Sequence, residues 1–109
     1  MNMEVAHTRE EDKDLLKVAG EIDAYTAPEL REALVPLTEK EGNLVVVDLE
    51  NVDYIDSTGL GIFIGALKSA HNYNGDLKII GLNERVHRLF SITGLDEVID
   101  IGEEREEAK

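Results

Sequence analysis

A run of polar side chains at residues 56–58 directly precedes a glycine-rich apolar segment, GLGIF, at 59–63. Asp56, Ser57 and Thr58 supply one carboxylate and two hydroxyls. Each of them can accept a hydrogen bond from the first amides of a helix, so each is an adequate N-cap. A helix needs only one cap, and its N-terminal amides and dipole also attract anions. The run therefore suits either a plain cap or a hydroxyl that receives phosphate.

A helix is predicted over about 58–72 by the spacing of its apolar residues. At about 100° per residue, one face forms a core-facing stripe of Leu60, Phe63, Ile64, Leu67 and Ala70. The opposite face is predicted to hold Gly61, Ile62, Gly65 and Ser69. Two glycines in a helix cost roughly 1 kcal/mol each relative to alanine. They indicate either the close approach of another segment of the same domain or a flat, partly apolar surface for another protein.

The position of Ser57 suggests what a phosphate there would do. It would lie near the positive end of the helix dipole, so the helix would stay folded. It would also add about −1.5 to −2 charges at the edge of the proposed binding surface. We therefore expect phosphate on Ser57 to block a partner by repulsion and bulk, without refolding the domain.

Enzymatic and cofactor chemistries find little support. The glycines at 59, 61 and 65 lack the spacing of a dinucleotide site, and no Walker lysine is present. The histidines His7, His71 and His87 are scattered, so no base is evident for Ser57 and no metal site is predicted. The sequence predicts neither an enzyme nor a bound cofactor.

A Mg²⁺-binding domain with a phospho-acceptor aspartate is the strongest rival. Glu21 and Asp23 follow an early strand, and Asp48 lies near the end of a buried strand, where carboxylates could bind Mg²⁺. Such a domain needs a lysine after a late strand. The strand predicted at 77–82 leads to Asn83 and a glutamate instead. The hairpin at the start and the missing fifth βα unit also count against this alternative.

The elements that must position these residues alternate between strands and helices. Residues 2–8 and 15–19 are predicted to pair as an N-terminal hairpin. A first helix is predicted to begin where Thr26 and Glu29 can form a capping box. Pro36 is expected to kink that helix or to tighten its last turn.

The second half of the chain continues the alternation. Residues 44–49 are predicted to form a central strand that is buried on both faces. Residues 77–82 form another strand, a third helix runs from an Asn83 cap to a Gly94 stop, and 98–101 form a short last strand. This order predicts an α/β fold with a mixed, mostly parallel sheet of four to five strands, an N-terminal antiparallel hairpin and three to four helices.

Length and composition limit the remaining choices. The 109 residues predict a single domain over 1–109, whose acidic end, EEREEAK at 103–109, is expected to be solvated or frayed. A formal net charge of −13 argues against partners such as nucleic acid or an anionic membrane. The chain has no cysteine, and the sequence predicts neither a signal peptide nor a membrane span, since no apolar run reaches about 20 residues. The predicted location is the cytoplasm.

Three stretches carry a resemblance to a known family. They are GEIDAYTAP at 20–28, YIDSTGLG at 54–61 and RLFSITGL at 88–95. With these motifs in this order and spacing, nearly the whole chain resembles the anti-sigma factor antagonists of Gram-positive bacteria, which are single STAS domains. Among them it is most similar to those of the general-stress sigma-B pathway.

The resemblance implies a switch operated by partners. The unphosphorylated domain is expected to bind an anti-sigma factor that is also an ATP-dependent serine kinase, which frees the sigma factor for stress transcription. The kinase is expected to phosphorylate Ser57, the serine after the motif aspartate, and a PP2C-type phosphatase to reverse this. Thr58 stays open as a second acceptor.

The family's contact surface adds the loop after the second strand, where Glu21 and Asp23 become candidates for pairing with basic partner residues. With the helix surface, the predicted partner-binding residues are Glu21, Asp23, Asp56, Ser57, Thr58, Gly59, Gly61, Ile62 and Gly65. An alternative function is a structural STAS subunit of a stress-sensing complex that this kinase does not switch.

Overall fold

The computed structural model of the chain describes residues 2–102, so the predicted tail at 103–109 lies outside the described residues. Within them, five strands and three α-helices alternate, with one turn of 3₁₀ helix (Leu95–Glu97) near the end. Their bounds are β1 (Met3–Glu10), β2 (Lys13–Ile22), α1 (Ala27–Thr38), β3 (Leu44–Ile55), α2 (Ser57–Asn72), β4 (Asp76–Ile80), α3 (Glu84–Ile92) and β5 (Asp100–Gly102).

The five strands form one sheet in the order β1-β2-β3-β4-β5. The hairpin strands β1 and β2 are antiparallel, while the β2–β3, β3–β4 and β4–β5 pairs are parallel. The predicted mixed, mostly parallel sheet with an N-terminal hairpin is therefore confirmed. Because parallel strands end at the same edge of a sheet, the loops after β2 and β3 emerge side by side.

The central strand β3 is longer than the sequence predicts. Val45 to Leu49 are all buried, which confirms burial on both faces in this part of the strand. The strand then continues to Ile55, where Tyr54 pairs with Glu21 and Ile55 with Ile22 of β2. The prediction ended at residue 49 because polar residues interrupt the apolar run there, and only pairing with β2 keeps the chain extended.

The last strand begins later than predicted. The 3₁₀ turn at Leu95–Glu97 carries the chain to Val98, which is exposed, and β5 starts only at Asp100. Apolar residues at 98, 99 and 101 favour a strand, but the turn is closed by a bond from the Val98 amide to the Leu95 carbonyl. This bond keeps Val98 out of the sheet.

The predicted capping box at the start of α1 is wrong. The hydroxyl of Thr26 makes no cap hydrogen bond within the helix. It accepts from the amide of Asp23 at 2.9 Å and donates to the carbonyl of Glu21, also at 2.9 Å. Thr26 thus fastens the loop between β2 and α1 instead of the helix itself, because the end of β2 offers it a donor and an acceptor.

Pro36 lies inside α1, two residues before its end. The amide of Glu39 donates to the Pro36 carbonyl at 3.2 Å, a bond from residue i to i−3 that tightens the last turn. This confirms one of the two predicted effects of Pro36.

The main hydrophobic cluster joins all three α-helices to the sheet. Phe63 of α2 and Phe90 of α3 are fully buried, with ring centroids 6.2 Å apart.

The predicted cap and stop of α3 are confirmed: Asn83 accepts from the Val86 amide at 2.8 Å, and Gly94 has a positive φ of 80°. None of the described helices is both long and apolar enough to cross a membrane.

A buried carboxylate ties the opposite end of the sheet together. Asp14 near the start of β2 is fully buried, and its oxygens lie 2.6 Å from His7 Nε2 and 2.8 Å from both Arg9 Nη1 and Asn43 Nδ2, with Lys40 Nζ at 3.3 Å. Burial by itself raises the pKa of Asp14, but these hydrogen bonds outweigh it and hold the pKa well below its usual range.

Candidate functional site

The junction between β3 and α2 lies at the carboxyl edge of the sheet, beside the end of β2. Ile55 pairs with Ile22, and the next amide, that of Asp56, donates to the Ile22 carbonyl at 3.2 Å. The ends of β2 and β3 thus hold Asp56, the first residue of the polar run at 56–58, in place. The position of Ser57 is set by the sheet and not by a free loop.

Asp56 is the residue that caps α2. Its Oδ1 accepts from the amides of Thr58 at 3.0 Å and Gly59 at 3.2 Å. Ser57 and Thr58 are exposed, and within residues 2–102 neither hydroxyl makes a hydrogen bond. Because the carboxylate of Asp56 supplies the cap, the hydroxyl of Ser57 stays open to solvent.

Gly59 has a structural role at the start of α2. It is buried, and a Cβ added there would lie 2.5 Å from Ile22 Cγ2 and 2.8 Å from Ile55 Cγ1. The helix can approach the ends of β2 and β3 this closely only because residue 59 has no side chain. Gly59 was predicted as a partner-binding residue, but its backbone is covered by these isoleucines.

Gly61 and Gly65 are exposed, as predicted. A Cβ added at either position would meet no other atom of the described chain within 4 Å. Close approach by another described segment therefore does not explain these glycines. They leave a flat strip on α2 that begins next to Ser57.

The prediction that Ile62 faces outward is wrong, because only 3% of it is exposed. Ile62 shares a helix face with Ala66 and Ser69 by i, i+4 and i+7 spacing. Ser69 lies 2.7 Å from the hydroxyl of Thr38 at the end of α1, so this face packs toward α1. The spacing of about 100° per residue predicted one core-facing stripe. In the structure α2 buries two faces, because it packs against both the sheet and α1.

The loop after β2 is held by its own side chains. The Oδ1 of Asp23 accepts from the amides of Tyr25 at 2.9 Å and Thr26 at 3.1 Å. Glu21 lies one residue before the end of β2 rather than in the loop. Both acids are half-buried. Asp23 therefore shapes the loop through Oδ1, and its second carboxylate oxygen makes no hydrogen bond within residues 2–102.

These predicted residues meet at one shallow groove of about 400 Å³. Glu21, Asp23 and Asp56 line it together with Tyr25 and Tyr54. The structure thus brings the two acids at the end of β2 next to the start of α2, as the parallel pairing of β2 and β3 requires. We call this the acidic groove.

Tyr25 and Tyr54 are the residues that the sequence analysis missed. Their exposed fractions are 86% and 48%, large values for aromatic side chains. Both lie inside the motifs that were singled out, but no periodicity distinguishes an exposed tyrosine from a buried one. Their exposure adds apolar area beside the three carboxylates.

No histidine lines the acidic groove, and no group of three or more potential ligands among residues 2–102 is arranged to hold a metal. Asp48, the candidate acceptor of the rival interpretation, is buried in the middle of β3, where its Oδ1 accepts from the Glu50 amide at 2.9 Å. An acceptor must be open to its phosphate donor, and Asp48 is not.

Comparison with known proteins agrees with this architecture. The STAS domain model matches residues 6–108. A curated relative, the anti-sigma-B factor antagonist of Listeria monocytogenes, is 48% identical over 103 residues, which cover 93% of this chain and 90% of the relative.

Solved structures extend the similarity at the level of fold. An anti-sigma factor antagonist from Mycobacterium paratuberculosis superposes with a TM-score of 0.83 at 24% identity, covering 92% of this chain and 85% of the other. The phosphorylated form of the Bacillus cell fate determinant SpoIIAA superposes with a TM-score of 0.71 at 14% identity, covering 98% and 96%.

Proposed function

The chain belongs to the STAS domain family and, within it, to the anti-sigma-B factor antagonists, and from this premise we propose that phosphate on Ser57 controls its binding to an anti-sigma factor. Members of this group are regulatory proteins, not enzymes. The chain therefore acts by binding other proteins, and partner enzymes add and remove the phosphate on Ser57.

The observation that carries this proposal is the division of roles at the start of α2. Asp56 supplies the cap through two backbone amides, and Ser57, the next residue, is exposed with no hydrogen bond to its hydroxyl within residues 2–102. A kinase can reach this oxygen without opening the fold. A phosphate there would stand at the helix N-terminus, where the dipole favours negative charge.

The proposed cycle has two states. Unphosphorylated, the chain binds the anti-sigma factor, which releases the sigma factor for stress transcription. As a serine kinase, the same anti-sigma factor transfers the γ-phosphoryl group of ATP to Ser57 Oγ and releases ADP. A PP2C-type phosphatase hydrolyses the phosphate ester with water and restores the free serine. The proposed kinase and its ATP are cytoplasmic, so we infer that location for the chain.

The proposed contact surface combines the flat strip with the acidic groove. Gly61 and Gly65 let a partner backbone approach α2 closely, and Glu21 and Asp23 offer carboxylate oxygens to basic residues of the partner. Phosphate on Ser57 would add about −1.5 to −2 charges beside these acids and would fill the space in front of the strip. Both effects oppose binding.

Ser57 variants test the switch directly. With the cognate anti-sigma factor and ATP, we expect mass spectrometry to find phosphate on Ser57 in the wild type and in Thr58→Ala. Ser57→Ala is expected to stay folded and to bind in the presence of ATP without being switched off. Ser57→Asp is expected to keep its circular dichroism spectrum but to bind at least tenfold more weakly. Phosphate found only at another residue would contradict the assignment.

A further inference from the structure

A second groove lies on the other side of Tyr54, between the end of β3 and α3. Its volume is about 230 Å³, and its floor is apolar, with Tyr54, Leu89 and Ile92 among its lining residues. Arg85 and Arg88 of α3 also line it. We call it the α3 groove. None of the sequence motifs assigned to partner binding includes α3.

Ile92 makes this groove unlike an ordinary surface depression. It is the last residue of α3, and 73% of it is exposed, although the same helix buries Val86 and Phe90 completely. Single exposed apolar residues are common, but Ile92 adjoins the half-exposed Tyr54 and the half-buried Leu89 in one concave surface. The described chain leaves this apolar area uncovered.

The two arginines give the groove a charge opposite to that of the molecule. The chain carries a formal charge of −13, yet Arg85 and Arg88 are both exposed on one helix at i, i+3 spacing. Within residues 2–102 neither makes a hydrogen bond or an ion pair, and Asp53 is the only acid that lines the groove with them. Their guanidinium groups are therefore free to pair with carboxylates from outside.

Tyr54 connects this groove to the acidic groove, since it lines both. Glu21, Asp23 and Asp56 lie on one side of Tyr54, and the two arginines lie on the other. The edge of the domain is thus acidic at one end and apolar in the middle, and at the other end it carries two arginines, unpaired within the described chain, beside Asp53 and Glu84. Opposite charges at the two ends of a surface favour one orientation of a bound partner.

We propose that the α3 groove is part of the surface that binds the anti-sigma factor and that it takes an apolar side chain flanked by carboxylates from that partner. The inference rests on the proposed function and deepens it by stating the chemistry of the partner. Ile55 lines the groove and is two residues from Ser57. A standard interface covers about 800 Å² per partner, which is enough area for a partner bound at Ser57 to reach over Tyr54 to α3.

Titration calorimetry of the unphosphorylated chain with its cognate anti-sigma factor tests this inference. We expect Ile92→Asp and Arg88→Glu each to raise the Kd at least tenfold, because the first removes the exposed apolar contact and the second repels the partner's carboxylates. Both side chains are exposed, so the melting temperatures should stay near that of the wild type.

Two variants serve as matched controls outside the α3 groove. Val98→Asp places the same carboxylate at another exposed aliphatic residue, and Arg31→Glu makes the same change of charge on the exposed face of α1. We expect each to change the Kd less than twofold. If Ile92→Asp and Arg88→Glu bind no worse than these controls, the α3 groove is not part of the surface.

Two further measurements separate this inference from the proposal on which it rests. If Ser57→Asp weakens binding while the groove variants do not, the inference fails and the switch at Ser57 stands. If Ser57→Asp also binds like the wild type, the proposed function itself fails. If Ile92→Asp abolishes self-association in size-exclusion chromatography and leaves the Kd unchanged, the groove belongs to a second copy of the chain, which overturns the inference.

Discussion

At the scale of single residues, the motif at the start of α2 separates two tasks that one hydroxyl could have combined. When a serine caps a helix, its hydroxyl oxygen accepts a hydrogen bond from a backbone amide. That bond occupies a lone pair of the oxygen and restricts rotation of the side chain. Here the carboxylate of Asp56 accepts both cap hydrogen bonds. The hydroxyl of Ser57 thus stays accessible, and we expect phosphorylation of Ser57 to leave the Asp56 cap in place.

This division predicts unequal costs for neighbouring substitutions. Asp56→Ala should lower the free energy of unfolding by about 1 kcal/mol, because two amides at the start of α2 lose their acceptor. Asp56→Asn keeps an acceptor oxygen, so its free energy of unfolding should fall by only a few tenths of a kcal/mol. That of Ser57→Ala should stay within about 0.5 kcal/mol of the wild type. Urea unfolding measures all three. A loss in Ser57→Ala as large as that in Asp56→Ala would identify the serine as the cap instead.

At the scale of elements, the three glycines of α2 lie in two different environments. Gly59 brings its first turn against the ends of β2 and β3, whereas Gly61 and Gly65 face away from the described chain. Glycine in a helix lowers stability wherever it stands. A packing gain offsets that cost at Gly59, but within the described chain no contact offsets it at the other two positions. The flat strip is therefore a feature whose benefit we assign to binding.

Alanine substitutions distinguish these roles of the glycines. Gly59→Ala should lower the free energy of unfolding by about 1–3 kcal/mol, since its Cβ would collide with Ile22 and Ile55. Gly61→Ala and Gly65→Ala should raise it by roughly 0.5–1 kcal/mol each. Denaturant unfolding gives the stabilities, and calorimetry with the anti-sigma factor gives the binding.

The stabilised variants are also expected to bind more weakly than the wild type, because two methyl groups would hold the partner's backbone away from α2. Unchanged binding in the double variant Gly61→Ala/Gly65→Ala would remove the strip from the contact surface. Lower stability of either single variant would show that the surroundings of these glycines are more crowded than described.

At the scale of the whole molecule, the Asp14 network and the proposed binding surface lie at opposite ends of the sheet. Asp14 lies eight residues before Ile22 along β2, a distance of about 26 Å in an extended strand. Its carboxylate connects His7 and Arg9 of β1 to Lys40 and Asn43 in the connection between α1 and β3. The proposed partner surface lies at the carboxyl edge, beyond Ile22.

The Asp14 network predicts a loss of stability in acid. The pKa of Asp14 is lowered in the folded state, so its contribution is fully present above the unfolded value of about 3.9 and is lost as the pH falls through the folded value. Asp14→Asn should lower the free energy of unfolding by roughly 1–3 kcal/mol at pH 7. The difference from the wild type should narrow below about pH 4.

Urea unfolding over a range of pH measures this dependence, and calorimetry at pH 7 supplies the control. Asp14→Asn is expected to bind the anti-sigma factor as the wild type does, because the network is remote from the acidic groove. A difference in stability that persists unchanged to pH 2 would mean that the carboxylate charge is not what stabilises this end of the sheet.

The sequence by itself determined the order of the elements, the ends of α3, the exposed glycines and the motif with Ser57, because caps, turns and helical spacing depend on residues only a few positions apart. Only the tertiary structure decided that Ile62 packs toward α1, that Thr26 fastens the β2 loop and that β3 continues to Ile55. It also decided that Tyr54 joins two grooves and that Ile92 stays exposed. These outcomes depend on neighbours that are distant along the chain, and burial is set by which surfaces come together in three dimensions.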